Sequence, residues 1–244
     1  MESLGTLPMA HVKSLPLLDK AIVKCTLCPR LVEWREEVAV TKRKAYQDQK
    51  YWGKPVPGFG PVDARLIILG LAPGAHGANR TGRVFTGDSS GDWLYRSLHK
   101  AGLAKIATSE SRDDGQELID TRILCAVRCA PPDNKPTTTE KAACAPFLQN
   151  EIELLMSTAR TFLALGNLAW SQIYSTLSEM GEVLPKPRPK FGHGVSYFFT
   201  GRDGVKRLVL GSYHPSQQNT FTGKLTEEML DQVMKRVTKV MRAK

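Results

Sequence analysis

Four of the five cysteines fall into two local pairs: Cys25 and Cys28 form a C-x2-C pair followed by Pro29, and Cys129 and Cys144 have fourteen residues between them. Soft thiolates in two such pairs suit zinc or an iron–sulfur cluster, and would tie an N-terminal segment to the body of the fold. The spacing does not select the metal, and buried free cysteines also pack as small apolar residues. Cys125 lies four positions before Cys129 in ILCAVRC. A regular strand would put both on one face, with Cys125 in a packing role.

Three other polar groups stand in segments rich in glycine, proline and serine. Asp88 in FTGDSSG precedes a helical pattern, where a carboxylate serves as an N-cap. Asn134 in PPDNKP has the composition of a turn, while its amide offers both a donor and an acceptor. His214 opens HPSQQN directly after the apolar run RLVLGSY, and an imidazole there can make a structural hydrogen bond or stabilise charge. The glycine-rich stretch from Gly70 to Gly91 is not closed by GKS or GKT, which argues against a phosphate-handling nucleotide hydrolase.

These groups need a scaffold, and the pattern of apolar residues supplies one. Leu17 to Cys25 and Arg30 to Gln47 read as two short helices flanking the first cysteine pair, and YWGKPVPGFGP reads as a connecting loop. RLIILG, DTRILCAVRC and TFLALG are runs expected of buried parallel strands, and VSYFFT and KRLVLGSYHP supply two more, one of them suited to an antiparallel edge. Helical patterns follow at Asp92 to Gly102, TTTEKAACAPFLQNEIELLM, NLAWSQIYSTLSEM and LTEEMLDQVMKRVTKVM. The alternation predicts a three-layer α/β/α sandwich around a central, mostly parallel, four-stranded sheet. Residues 1–16 form an N-terminal extension and 17–244 a single domain. In open α/β sheets ligands bind beyond the carboxyl ends of strands, so the loops after Gly70, Cys129 and Tyr213 should converge. PKPRPK, from Pro185 to Lys190, is a basic proline-rich linker that faces either a polyanion or solvent.

Composition narrows the setting. With 34 Lys plus Arg against 24 Asp plus Glu the formal charge is +10, which favours polyanionic partners. No apolar run approaches the roughly 18–20 residues that span a bilayer, and no signal-peptide pattern opens the chain. The expectation is a cytoplasmic protein, monomeric and without a membrane partner. An odd cysteine count does not read as a secreted disulfide framework.

CTLCPR (Cys25 to Arg30), GLAPGAHGANRTGRVFTGDSSG (Gly70 to Gly91), CAPPDNKPTTTEKAAC (Cys129 to Cys144) and GSYHPSQQNTFTGKLT (Gly211 to Thr226) occur in that order. Together they resemble the iron–sulfur uracil-DNA glycosylases, most closely the family 5, or type b, branch. The resemblance extends from about Leu17 to the last helix. It implies an α/β/α glycosylase fold, a [4Fe-4S] cluster on Cys25, Cys28, Cys129 and Cys144, and excision of uracil and other deaminated or damaged bases from single- or double-stranded DNA.

The same resemblance assigns roles. His214 would donate to the uracil carbonyl where negative charge accumulates, and Asn134 would read the uracil edge. Ala72 stands where many relatives outside the branch carry Asp or Asn, so Asp88 becomes the carboxylate that orients water or stabilises the sugar cation. Phe85 would stack on the extruded base, with Gly70, Leu71, Ala72, Pro73, Gly74 and His76 around it. Gly74 replaces a bulky aromatic and should open the pocket to hypoxanthine or etheno-cytosine. Pro215, Ser216, Gln217, Gln218 and Asn219 form the expected wedge and phosphate-binding stretch, flanked by Arg80, Arg83 and Lys224, which are open to either phosphate or solvent. The competing reading is a noncatalytic, metal-stapled nucleic-acid-binding protein.

Overall fold

The computed structural model describes residues 12–242. In chain order its elements are α1 (Leu15–Val23), α2 (Pro29–Thr41), β1 (Leu66–Gly70), α3 (Ala78–Thr81), α4 (Ser89–Lys100), β2 (Thr121–Cys125) and α5 (Thr138–Leu155), then β3 (Thr161–Leu165), α6 (Asn167–Glu179), β4 (Ser196–Thr200), β5 (Lys206–Ser212), α7 (Gln217–Phe221) and α8 (Glu227–Arg242). The strands form one sheet in the order β2-β1-β3-β5-β4. Against the expected four strands there are five. β1, β2, β3 and β5 are parallel, and β4 pairs antiparallel with β5 at the edge. Its residues explain the position, because Tyr197 and Phe199 turn inward while Phe198 is exposed, the alternation of a half-covered strand.

The parallel strands are buried on both faces. Ile67, Leu69, Leu124, Phe162 and Val209 pack on one side with α1, α5 and α6, whereas Leu66, Ile68, Ile123, Leu163 and Leu210 pack on the other with α4 and α8. A one-residue slip would exchange the two sets, so the register is tightly specified. Because β1 sends the chain to β2 on one side and its other neighbour is β3, the strand order reverses at β1. The loops after β1, β2 and β5 emerge together at the carboxyl end of the sheet, because these strands are parallel.

β2 ends at Cys125, earlier than the sequence pattern implies. Cys125 belongs to the α4/α8 face and Cys129 to the α1/α5 face, so the regular-strand premise for their sharing a face fails. α4 begins at Ser89, three residues before the expected Asp92, because Asp88 caps it. Residues 1–11 of the expected N-terminal extension lie outside the described residues. Val12 exchanges hydrogen bonds with the Asn150 side chain on α5, at 3.1 and 3.3 Å. Among the described residues no helix is long and apolar enough to cross a membrane.

Candidate active site and thiol pocket

A cavity of about 760 Å³ opens at the carboxyl end of the sheet. Leu71, Ala72, Pro73, Gly74 and His76 line it from the loop after β1, Asn134 from the loop after β2, and His214, Ser216, Gln217 and Gln218 from the segment after β5. Asp88 and Phe85 complete the wall. Three distant stretches of chain thus place Asp88, Asn134 and His214 around one space.

Asp88 is held by two local features. As N-cap of α4 its Oδ1 accepts the backbone N–H of Gly91 at 3.0 Å. Its other oxygen rests on the loop after β1, so closely that a Cβ on Gly77 would lie 1.9 Å from Oδ2. Burial raises the Asp88 carboxyl above its ordinary value, opposed by the Gly91 N–H. No side-chain cation pairs with it among the described residues, since Arg80 spends its guanidinium on the carbonyls of His76 and Gly87.

His214 sits under the opposite wall, its ring 5.7 Å from that of Phe85. Burial pushes its imidazole down to about 4, so at neutral pH the ring is uncharged and carries one N–H donor. Its carbonyl accepts the Asn219 side-chain amide at 2.9 Å, which fixes the turn into α7. Phe85, at φ 49°, and the neighbouring pair Asp133 and Asn134, at 53° and 56°, are non-glycine residues in the left-handed region. Such backbones cost about 1–3 kcal/mol each and persist where surrounding structure dictates them, as around a functional cavity.

Several expected site residues stand elsewhere. Gly70 lies behind Phe85 rather than on the wall, and its bare Cα admits the ring, since a Cβ there would be 2.8 Å from Cε2. Pro215 is buried and does not reach the cavity, and Asn219 lines a neighbouring groove together with Lys224. His76 lines the cavity while its Nδ1 is engaged by the Tyr51 hydroxyl at 3.1 Å. Arg80 and Arg83 are buried and face neither phosphate nor solvent. Arg80 stacks 4.0 Å above the Tyr46 ring, and Arg83 binds Asp114, Ser109 and Thr86. Sequence reasoning missed Arg43, Tyr46, Ser89, Ser90, Asp133 and Cys125 in the lining. The interleaved cations and aromatic of TKRKAY were the available signal for the first two; the others are not distinguishable from ordinary loop and core residues.

Cys25, Cys28, Cys129 and Cys144 line a second, closed pocket between α2, α5 and the loop after β2. Pro29 opens α2, which makes Cys28 its N-cap. Thr137 and Glu140 form a capping box at the start of α5, and Glu140 also takes both Nε and Nη2 of Arg30 at 2.8 Å, which draws the two helix starts together. Burial raises the thiols of Cys129 to about 11 and Cys144 to about 12, so without a cation they stay protonated. Arg35 donates to the Cys129 sulfur at 3.0 Å and the backbone N–H of Arg128 to the Cys144 sulfur at 3.4 Å. The buried Nε of Arg35, and Nε and Nη1 of Arg128, have no partner of their own. Among the described residues no three His, Cys, Asp or Glu gather closely enough to hold one metal ion.

Residues 57–238 match the uracil DNA glycosylase superfamily. The chain is 49% identical over 227 residues to a type-5 uracil-DNA glycosylase of Mycobacterium leprae, covering 93% of this chain and 96% of that protein. It is 47% identical to a type-5 uracil-DNA glycosylase of Thermus thermophilus, covering 88% and 93% of the two chains. A type-4 uracil-DNA glycosylase of Thermotoga maritima is 30% identical over 64% of this chain.

Proposed function

This chain belongs to the uracil-DNA glycosylase superfamily, and from that membership we propose that it is a monofunctional DNA glycosylase of the type-5 kind, hydrolysing the N-glycosidic bond of uracil in DNA. The observation that carries this reading is the meeting of Asp88, Asn134, His214 and Phe85 in one cavity at the switch point of the sheet. A noncatalytic binding protein has no need to hold a half-buried carboxylate without a cation there.

Cleavage parts a sugar with oxocarbenium character from a base leaving as an anion, so charge of both signs must be stabilised. His214, neutral and already desolvated, donates its N–H to the uracil oxygen on which negative charge grows. Asp88 faces the sugar, where its carboxylate opposes the developing positive charge and orients the attacking water. Asn134 binds the uracil edge with its amide, and Phe85 stacks on the extruded ring. Eversion costs a few kcal/mol, offset by contacts from Ser216, Gln217 and Gln218 at the mouth. Gly74 places no side chain in the cavity, which leaves room for hypoxanthine and etheno-cytosine as further substrates.

Cys25, Cys28, Cys129 and Cys144 fit a [4Fe-4S] cluster. Four thiolates give such a group a net negative environment, and the unpartnered N–H groups of Arg35 and Arg128 are suited to it. When bound, the cluster supplies cross-linking rather than reaction chemistry. α2 buries only two apolar side chains, Leu31 and Val38, so ligation would add to the Arg30–Glu140 contact in keeping it docked. Replacing Cys25 or Cys144 should accordingly lower stability before it lowers turnover.

The test is incubation with a uracil-containing oligonucleotide. The expected product is an alkali-labile abasic site without spontaneous strand cleavage. Intact strands after alkali would defeat the reading.

A further inference from the structure

On the far side of His214 lies a second groove, of about 620 Å³, which shares that residue with the active-site cavity. Its size falls in the range of small-molecule pockets, about 300–1,000 Å³. Arg188 and Lys190 enter it from the proline-rich PKPRPK segment and Lys224 from the chain after α7, while Phe191 and Tyr213 offer partly exposed rings. No carboxylate pairs with any of the three cations among the described residues. Lys224 lies 5.0 Å from the centre of the Tyr213 ring.

The segment is fastened from beneath. Trp170 on α6 donates its indole N–H to the Pro189 carbonyl at 2.9 Å, and the Tyr174 hydroxyl donates to the Pro185 carbonyl at 2.8 Å. Phe191 then packs edge-on against both Trp170 and Tyr213, each 6.2 Å away. A cationic strap is thereby held in place before any ligand arrives, with an aromatic platform beside it. Cations that follow a backbone next to rings that stack bases are the ingredients of a single-strand nucleic-acid site.

We propose that this groove is a subsite for a nucleotide flanking the everted one on the same strand. Arg188 and Lys190 hold its phosphodiester, and the Phe191 ring stacks its base, with Tyr213 edge-on beside it. The proposal rests on the DNA-glycosylase reading of the neighbouring cavity, because a strand leaving that cavity past His214 enters the groove.

Binding is measured by fluorescence anisotropy with single-stranded oligonucleotides carrying a stable abasic analogue, so that no turnover is needed. The R188A/K190A variant, altered only at exposed side chains, should bind on the order of tenfold more weakly. Its log K against log salt should be shallower by roughly 0.7 for each phosphate that the variant no longer neutralises. A 2-aminopurine beside the abasic site should be quenched by the wild type and less so by Phe191→Leu, with melting curves confirming that both variants fold. A K235A/K239A variant on α8 removes equal charge and should leave binding unchanged. Unaltered affinity and salt slope in R188A/K190A would overturn the proposal, as would an equal loss in K235A/K239A, or a loss seen with duplex but not single strands. If the wild type binds these strands but releases no uracil, the activity reading fails and the groove stands.

Discussion

Glu151 carries its carboxylate fully out of water beneath the thiol side of the sheet and Asp88 carries its own half-buried in the cavity wall, and they are compensated in opposite ways. Glu151, fully buried on α5, lies between Arg122 at 2.8 Å and Arg128 at 2.5 Å, and Arg122 reaches on to Asp19 on α1 at 2.9 Å. Burial would raise its carboxyl, but the two arginines hold it below the ordinary range. Asp88 has a helix N-terminus and the backbone N–H groups of Gly91 and Ser90, and burial prevails. The first arrangement joins α1, β2 and α5. The second leaves a charge without a side-chain cation beside it, which is what the proposed role toward a cationic sugar requires.

Breaking the brace should give the largest change. Glu151→Ala leaves two buried guanidinium groups facing each other and should cost about 3–5 kcal/mol in urea unfolding, with turnover per folded molecule retained. A loss below about 1 kcal/mol would mean that the brace is not structural. His214→Ala should do the reverse, lowering single-turnover uracil release by about 10²–10³-fold with a small change in melting temperature.

Asp88→Asn sharpens the contrast, because asparagine keeps the cap acceptor and deletes only the charge. Uracil release should fall roughly 10²-fold or more. The folded-state pKa of Asp88 lies above its unfolded value, so ionisation opposes folding once pH rises past the unfolded value. The variant should therefore be more stable than the wild type at pH 7 and lose that advantage near pH 4, as read by denaturant midpoints. Equal midpoints at pH 7 would show that Asp88 carries no desolvation cost. Gly77→Ala should reproduce part of the activity loss by displacing the carboxylate.

The last effect concerns His214 and stability alone. Its folded value of about 4 lies below the ordinary 6.5, so its contribution is fully present above pH 6.5 and is lost as pH falls from 6.5 toward 4. His214→Asn should show a shallower decline in unfolding free energy across that window.

Much of the scaffold could be read from local pattern. Continuous apolar runs such as LIILG and TFLAL mark strands covered on both faces, and they appear as β1 and β3. VSYFFT carries the alternation of an edge, yet whether it joined the sheet as a fifth strand depended on pairing with β5, which no single segment encodes. The convergence of the loops after β1, β2 and β5 was legible from the alternation of strands and helices, which implies parallel strands with their carboxyl ends on one side. The fates of Arg80 and Arg83 were not, because an arginine in a glycine-rich loop looks the same in sequence whether it faces phosphate or, as here, tightens the loop from inside.

What the order of residues settled by itself is a set of local facts: where strands and helices fall, which thiols occur in pairs, and that Asp88 stands at a helix start. Only the folded chain decided which buried groups are neutralised and which are left wanting. Charge compensation is a matter of a few ångströms between segments far apart in sequence, and three-dimensional packing alone sets those distances.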